Sequence, residues 1–196
     1  YRRSSDDFAI PLDDRGHPIL AYSACLTEQG VIFGGRNRIY RYDYDSRSIK
    51  LLLDFSSDPY FAISAISRWD EETLLCCSRW QGLRLINLRS GERRLPPFDC
   101  GKEIMALLID SHNRIWLAPY NEGLRCFNPE GRLLASYTTD NSGLSNNVVL
   151  SMAERDSHIW VGTDGGGINI IHPDSHRITV LEHIPGDNYS LPVNSI

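Results

Sequence analysis

Ile159-Trp-Val-Gly-Thr163, followed after a short loop by Gly167-Ile-Asn-Ile-Ile-His-Pro173, decides the fold of this chain, because the same two-part phrase occurs three times upstream. The earlier copies are Val31-Ile-Phe-Gly-Gly35 with Ile39-Tyr-Arg-Tyr42, Leu74-Leu-Cys-Cys-Ser78 with Gly82-Leu-Arg-Leu-Ile-Asn87, and Ile115-Trp-Leu-Ala-Pro119 with Gly123-Leu-Arg-Cys-Phe-Asn-Pro129. Equivalent positions Ile39, Leu83, Leu124 and Ile168 follow at intervals of 44, 41 and 44 residues. A period of about 43 excludes the shorter repeat architectures and leaves propeller blades or paired-helix arrays. The copies are short, rich in β-branched and aromatic residues, and broken by Gly or Pro, which is a strand pattern and not a helical one.

Each repeat therefore reads as four short strands joined by tight turns. In the third repeat they are expected at 104–110, 114–118, 123–128 and 132–138. Asn128-Pro-Glu-Gly131 suits a type I turn: Asn bonds back to the backbone, Pro presets φ, and Gly tolerates the reversal into the next strand. One four-stranded sheet cannot bury both faces, and stacking sheets side by side removes those faces from water. The predicted fold is all-β, a propeller segment of about four consecutive four-stranded antiparallel blades at 19–56, 62–99, 103–139 and 147–184. Residues 1–18 would end a preceding blade or form a linker, and 190–196 would begin the next. Trp116 and Trp160, at equivalent strand positions, are expected in the core between blades. With four blades, an end blade is expected to expose an apolar face unless further chain or another molecule covers it. The chain opens at Tyr1 without Met or a signal core, and it is read as a piece of a longer protein.

Residues 143–173, from Gly143-Leu-Ser-Asn-Asn-Val-Val through Ile159-Trp-Val-Gly-Thr-Asp-Gly-Gly-Gly-Ile to Asn169-Ile-Ile-His-Pro173, resemble the two-component-regulator propeller repeat. The third repeat resembles it more weakly, through Asn113-Arg-Ile-Trp-Leu117 and Asn128-Pro129, and Ser190-Leu-Pro-Val-Asn-Ser-Ile196 resembles the start of another copy. The resemblance implies the periplasmic sensor half of hybrid two-component proteins of gut bacteria, anchored in the inner membrane elsewhere in the parent chain. It implies an oligosaccharide ligand, a homodimer, and a histidine kinase outside these residues.

Composition agrees with a folded domain: 41% hydrophobic, 23% charged, formal charge −5. The charge is spread along the chain with no Lys/Arg-dense stretch, which argues against nucleic acid. The longest apolar run, Ile104 to Ile109, is far short of the roughly 20 residues that cross a bilayer. Five cysteines lack paired spacing for zinc, and Cys77 and Cys126 fall at strand positions where sibling repeats carry small or aliphatic residues. No nucleophile or phosphate-loop motif occurs, and Asp164-Gly-Gly-Gly-Ile joins two strands without opening a helix. Asp110 and Trp116 stand six apart without the glycine of a sialidase box, and the inner strands offer almost no oxygen ligands for a lactonase-type ion. Neither catalysis, a cofactor nor a metal is expected, and the histidines read as solvated turn residues.

Binding is left. Loops joining strands two and three, and strand four to the next strand one, leave the sheets at one end of the ring. The ligand-binding candidates there are Arg36, Arg79, Trp80, Tyr120, Asn121 and Asp164. Aromatic rings seat the C–H faces of sugars and planar polar groups take their hydroxyls, so this set points to an oligosaccharide. A protein-interaction propeller is the runner-up, and a propeller enzyme acting on carbohydrate or lactone comes third. Trp69, in a turn at the opposite end, receives no role.

Overall fold

A computed structural model describes residues 12, 16, 18–78, 81–98, 101 and 103–196. It contains sixteen strands in four antiparallel sheets, each a meander in chain order, and no helix among the described residues. Blade one comprises β1 (Ser23–Thr27), β2 (Gly30–Gly35), β3 (Arg38–Asp43) and β4 (Ile49–Asp54). Blade two comprises β5 (Ile63–Arg68), β6 (Thr73–Ser78), β7 (Gly82–Asn87) and β8 (Arg93–Arg94). Blade three comprises β9 (Ile104–Ile109), β10 (Ile115–Pro119), β11 (Leu124–Phe127) and β12 (Leu133–Tyr137), and blade four β13 (Val149–Arg155), β14 (His158–Thr163), β15 (Ile168–His172) and β16 (Arg177–Leu181). This is a four-blade β-propeller arrangement, as the repeat period predicts. Strand β8 is only two residues long because Pro96 and Pro97 follow, and proline cannot donate to a ladder.

Local chemistry sets the turns. Asn128 accepts the Arg132 amide on its Oδ1 at 2.7 Å, and its carbonyl accepts the Gly131 amide at 3.0 Å, which is the turn expected from Asn-Pro-Glu-Gly. Asn87 does the same work in blade two, accepting the amides of Arg89 and Ser90. Gly123 and Gly167 immediately precede β11 and β15 at φ of 73° and 71°, and a Cβ at either would lie about 2 Å from the carbonyl oxygen of the adjacent fourth strand. The inner strands of blades two, three and four each carry a register shift near their start, at Ile63/Ala65, opposite Ala118/Pro119, and at Val149/Ser151.

Blades meet through their first strands: β1 packs on β5, β5 on β9, and β9 on β13. One cluster fills the wedge between blades two and three (Leu75, Cys77, Leu85, Ile115, Leu117, Phe127), and another fills that between three and four (Trp116, Ala118, Cys126, Val149, Ile159, Val161). Successive residues of β10 thus point to opposite neighbours, Ile115 and Leu117 backward, Trp116 and Ala118 forward. Polar stitches reinforce the joints: Ser23 Oγ accepts the Ile66 amide, Ser67 Oγ accepts the Ile109 amide, and Glu154 accepts both the amide and hydroxyl of Ser111.

Trp160 departs from the expectation. Trp116 is 1% exposed beneath blade four, but Trp160 is only half-buried, because among the described residues no further blade lies on the outer face of blade four. The chain's last residues approach it: the Ile196 amide donates to the Thr163 carbonyl at 3.1 Å beside Gly162. The buried cysteines behave as small hydrophobes. Burial pushes the Cys126 thiol up to about 12 and Cys25 up to about 11, far from the thiolate range.

Candidate ligand-binding site

The strand-two-to-three loops present Arg36, Tyr120, Asn121 and Asp164 at one end of the blades, all exposed. Arg36 and Asn121 adopt positive φ, 48° and 56°, which fixes each loop as a tight reversal. The Arg36 carbonyl accepts the Ile63 amide at 2.5 Å, so its backbone is also the joint between blades one and two. Asp164 accepts the Ser195 hydroxyl at 2.8 Å, and its carbonyl accepts the Asn146 amide group at 2.6 Å. Its carboxylate is therefore partly engaged by the chain's own final turn. Tyr120 is 53% exposed with its amide bonded to the Glu103 carbonyl, which leaves the phenol ring on a fixed backbone. Arg79 and Trp80 lie outside the described residues. Gln81, beside them, is a brace: it donates to both carboxylate oxygens of Asp58 at 3.1 and 3.2 Å, while Arg93 donates to the same carboxylate at 2.8 Å and lies over the Phe61 ring. Arg93 first, and then Gln81, hold the Asp58 carboxyl below the usual carboxylate range.

Tyr120 and Asn121 share their edge with the 139–147 connection, because the Gly123 amide donates to the Asn147 carbonyl at 3.0 Å. Three exposed aromatics at this same end lie outside the predicted set: Tyr22 at the entry to β1, Tyr60 between β4 and β5, and Tyr189 beyond β16. Tyr60 and Tyr189 sit in strand-four-to-one connections, so the loop rule that selects Tyr120 also selects them.

Two clefts lie at the opposite end among the described residues. One, of about 490 Å³, separates blades one and two and is lined by Gln29, Arg41, Arg68, Glu71 and Glu72 among others. The other, of about 480 Å³, separates blades two and three and is lined by Arg68, Trp69, Asp70, Glu71, Asn113 and Pro129 over Ile109 and Ile115.

The remaining polar groups hold the scaffold together. Asp110, 4% exposed, accepts the amides of His112 and Arg114, the Arg114 Nε at 2.6 Å and the Trp116 indole at 2.8 Å, so its oxygens are spent on its own hairpin. His158 and His172 face each other at 2.7 Å with rings nearly perpendicular, and burial, then His158 and Arg177, push His172 below its ordinary value. The polar signature of the fourth repeat is likewise internal. Asn169, fully buried, accepts the Ser145 amide and donates to the Ser145 hydroxyl, which donates to the Gly166 carbonyl. Asn147 and Asn194 form identical latches: each carbonyl accepts a glycine amide (Gly123, Gly167), and each Oδ1 accepts the amide of a residue beyond strand four (Thr139, His183).

Residues 143–165, which contain Asn147 of the first latch, match the family model described as two component regulator propeller. In structure, the chain is similar to the extracellular domain of the putative hybrid two component system BT4673 from B. thetaiotaomicron, with a TM-score of 0.66 at 19% identity, over 87% of this chain and 23% of that one. The extracellular domain of BT3049 from the same organism aligns with a TM-score of 0.60 at 12% identity, over 83% and 24%. The computationally designed Ika4 protein aligns with a TM-score of 0.56 at 13% identity, over 84% of this chain and 97% of its own. No curated protein matches. The chain thus spans about a quarter of the two-component domains it resembles, and these likenesses show the propeller fold.

Proposed function

We propose that the chain is a recognition segment of an extracytoplasmic sensor propeller, non-catalytic itself, that binds an oligosaccharide and signals through a dimer to a histidine kinase elsewhere in its parent protein. The observation that carries the proposal is the match of residues 143–165 to the two-component-regulator repeat, supported by the likeness to extracellular domains of that class of system. The loop end supplies the seat. Tyr120 offers an aromatic plate and Asn121, Arg36 and Asp164 offer planar polar groups on rigid turns; Arg79 and Trp80, outside the described residues, are the further candidates that the sequence supplies. Chemistry at the buried polar residues is disfavoured because Asp110, Asn169 and Ser145 are consumed by internal hydrogen bonds.

The test is a titration of the chain with defined tetrasaccharides, followed by melting temperature and calorimetry, with light scattering for the oligomeric state. Binding of at least one sugar, weakened about tenfold or more in Tyr120→Ala, is the expected result for loss of an aromatic anchor. A melting temperature that no saccharide moves would sink the oligosaccharide reading. A molecular mass that stays monomeric with and without sugar would sink the dimer.

A further inference from the structure

The aromatic residue left without a role by its sequence position, Trp69, forms a wall of the cleft between blades two and three. We propose that this cleft is a second carbohydrate seat, at the opposite end of the blades from Tyr120, and that it takes one neutral pyranose ring. The proposal rests on the oligosaccharide reading above.

Four observations lead there. First, Trp69 stands where blade three has Asp110: the Trp69 amide donates to the Thr73 carbonyl as the Asp110 amide donates to the Arg114 carbonyl. Asp110 uses that position to tie up its own hairpin with four hydrogen bonds, a task an indole ring cannot perform. Blade two keeps only the Asp70 cap on the Glu72 amide at this turn and places a half-buried plate beside a cavity.

Second, the plate is fixed. Trp69 packs on Phe98 at 6.2 Å between ring centroids, and Phe98 stacks on Phe127 at 5.0 Å, an aromatic series anchored in the core between the two blades. An aromatic face held in this way costs little side-chain entropy when a ligand covers it.

Third, polar groups surround the plate: Asn113 on the facing wall of blade three, and Arg68, Asp70 and Glu71 on the rim of blade two itself. Asn113 sits at φ 58° in a turn closed by its amide to the Asp110 carbonyl at 2.9 Å. The Asp70 carboxylate caps the Glu72 amide and Arg68 Nε reaches the Asp70 carbonyl, which sets both side chains at the rim. Among the described residues, no hydrogen bond engages the Asn113 or Glu71 side chain. Amide, carboxylate and guanidinium groups around one apolar plate match a ring that has a C–H face and an equatorial belt of hydroxyls.

Fourth, size and charge narrow the ligand. About 480 Å³ falls within the range of roughly 300–1,000 Å³ of small-molecule sites. Asp70 and Glu71 against the single Arg68 leave a negative balance, which repels carboxylated or sulfated sugars and tolerates neutral ones.

The experiment labels the tryptophan indoles with ¹⁵N, assigns the Trp69 signal with Trp69→Phe, and titrates the whole chain with the tetrasaccharides of glucose, xylose and mannose and with tetragalacturonate. Melting temperatures are recorded in parallel. A saturable shift of the Trp69 indole with a neutral sugar is expected. In Asn113→Gly, which keeps the positive φ and removes the amide, the midpoint should move about tenfold or more to higher concentration. Sugar binding that raises the melting temperature while the Trp69 signal stays fixed overturns the cleft and leaves the oligosaccharide reading standing. A shift caused by tetragalacturonate alone overturns the neutral ring. If no sugar moves either the signal or the melting temperature, the cleft and the reading beneath it both fail.

Discussion

Blades two and three and blades one and four are built on one repeat, yet they bury different amounts of it. Every residue of β6 and β10 is buried, whereas β13 and β16 of blade four alternate between covered and open faces and β1 of blade one is at best half-covered. Trp116 and Trp160 make the contrast plainest. They share a sequence phrase and a strand register, Trp116 opposite Cys126 and Trp160 opposite Ile170, and only Trp116 has a blade against it. A strand's burial in a propeller is a property of its neighbour as much as of its own residues, because each sheet has two faces and its own chain covers neither.

The largest expected difference is between those two tryptophans. Trp116→Ala should cost about 3–5 kcal/mol, the cost of a large buried aromatic, and should also remove one of the two side-chain donors to Asp110 Oδ2, leaving Arg114 Nε on that oxygen. Trp160→Ala should cost no more than about 2 kcal/mol, since part of its ring is already in water. Denaturant titration of both variants compares them directly. Equal losses would mean that in solution the outer face of blade four is covered as well as the inner one.

Ion pairs should obey the same rule on a smaller scale. Arg114–Asp110 in blade three has side-chain exposures of 18% and 0%, and Arg38–Asp54 in blade one has 27% and 32%. Asp110→Asn leaves a largely buried guanidinium with, among the described residues, the more distant, exposed Asp174 as its remaining carboxylate, so a loss of about 2–4 kcal/mol is expected. Asp54→Asn should cost at most about 1 kcal/mol, as exposed pairs do. Repeating both in high salt separates them further: the Asp54 effect should shrink and the Asp110 effect should persist.

The two asparagine latches come next. Asn147→Ala removes two side-chain hydrogen bonds, to the Thr139 amide and hydroxyl, at the joint between blades three and four, and about 1–2 kcal/mol should be lost. Asn194→Ala cuts the counterpart in blade four, where among the described residues the side chain makes a single hydrogen bond, to the His183 amide, and no more than about 1 kcal/mol is expected. Amide exchange at Gly123 and Gly167 reads the two separately; faster exchange at Gly123 in the Asn194 variant would show that the latches are coupled.

The smallest effect is expected at His172 in blade four. Its folded value lies below the ordinary 6.5, so folding opposes its protonation. The resulting stability is complete above about pH 6.5 and is lost as pH falls through the lowered value. Between about pH 7.5 and 5, wild type should lose melting temperature more steeply than His172→Gln. Parallel curves would show that the contact with His158 does not bias the titration.

The fold is readable in the sequence because its evidence is local and repeated. Four copies of a strand phrase at a near-constant period, with Asn-Pro-Glu-Gly and equivalent turns between them, leave few alternatives to a blade, and the turn geometry at Asn128 comes from its own side chain and the backbone within four residues. The loop residues Arg36, Tyr120, Asn121 and Asp164 can be placed at one end for the same reason, since strand alternation fixes the edge from which each loop leaves. The same rule extends to Tyr60 and Tyr189 in the strand-four-to-one connections, which the candidate set leaves out although the rule covers their loops.

The amino-acid order alone dictates the blade: its strands, its turns, its succession along the chain, and the glycines where backbones nearly touch. How blades meet is a tertiary matter. Nothing in Ile-Trp-Val-Gly-Thr distinguishes a tryptophan that will be covered from one that will not, and nothing in Leu-Ser-Asn-Asn shows that its polar groups serve Gly123, Gly166 and Asn169 and not a ligand. Trp69 and Asn113 lie 44 residues apart on separate hairpins, and only the docking of blade two against blade three opens a cavity between them. Strand formation depends on neighbours a few residues away along the chain, whereas burial, latching and cleft formation depend on groups a full repeat away, which local pattern does not encode.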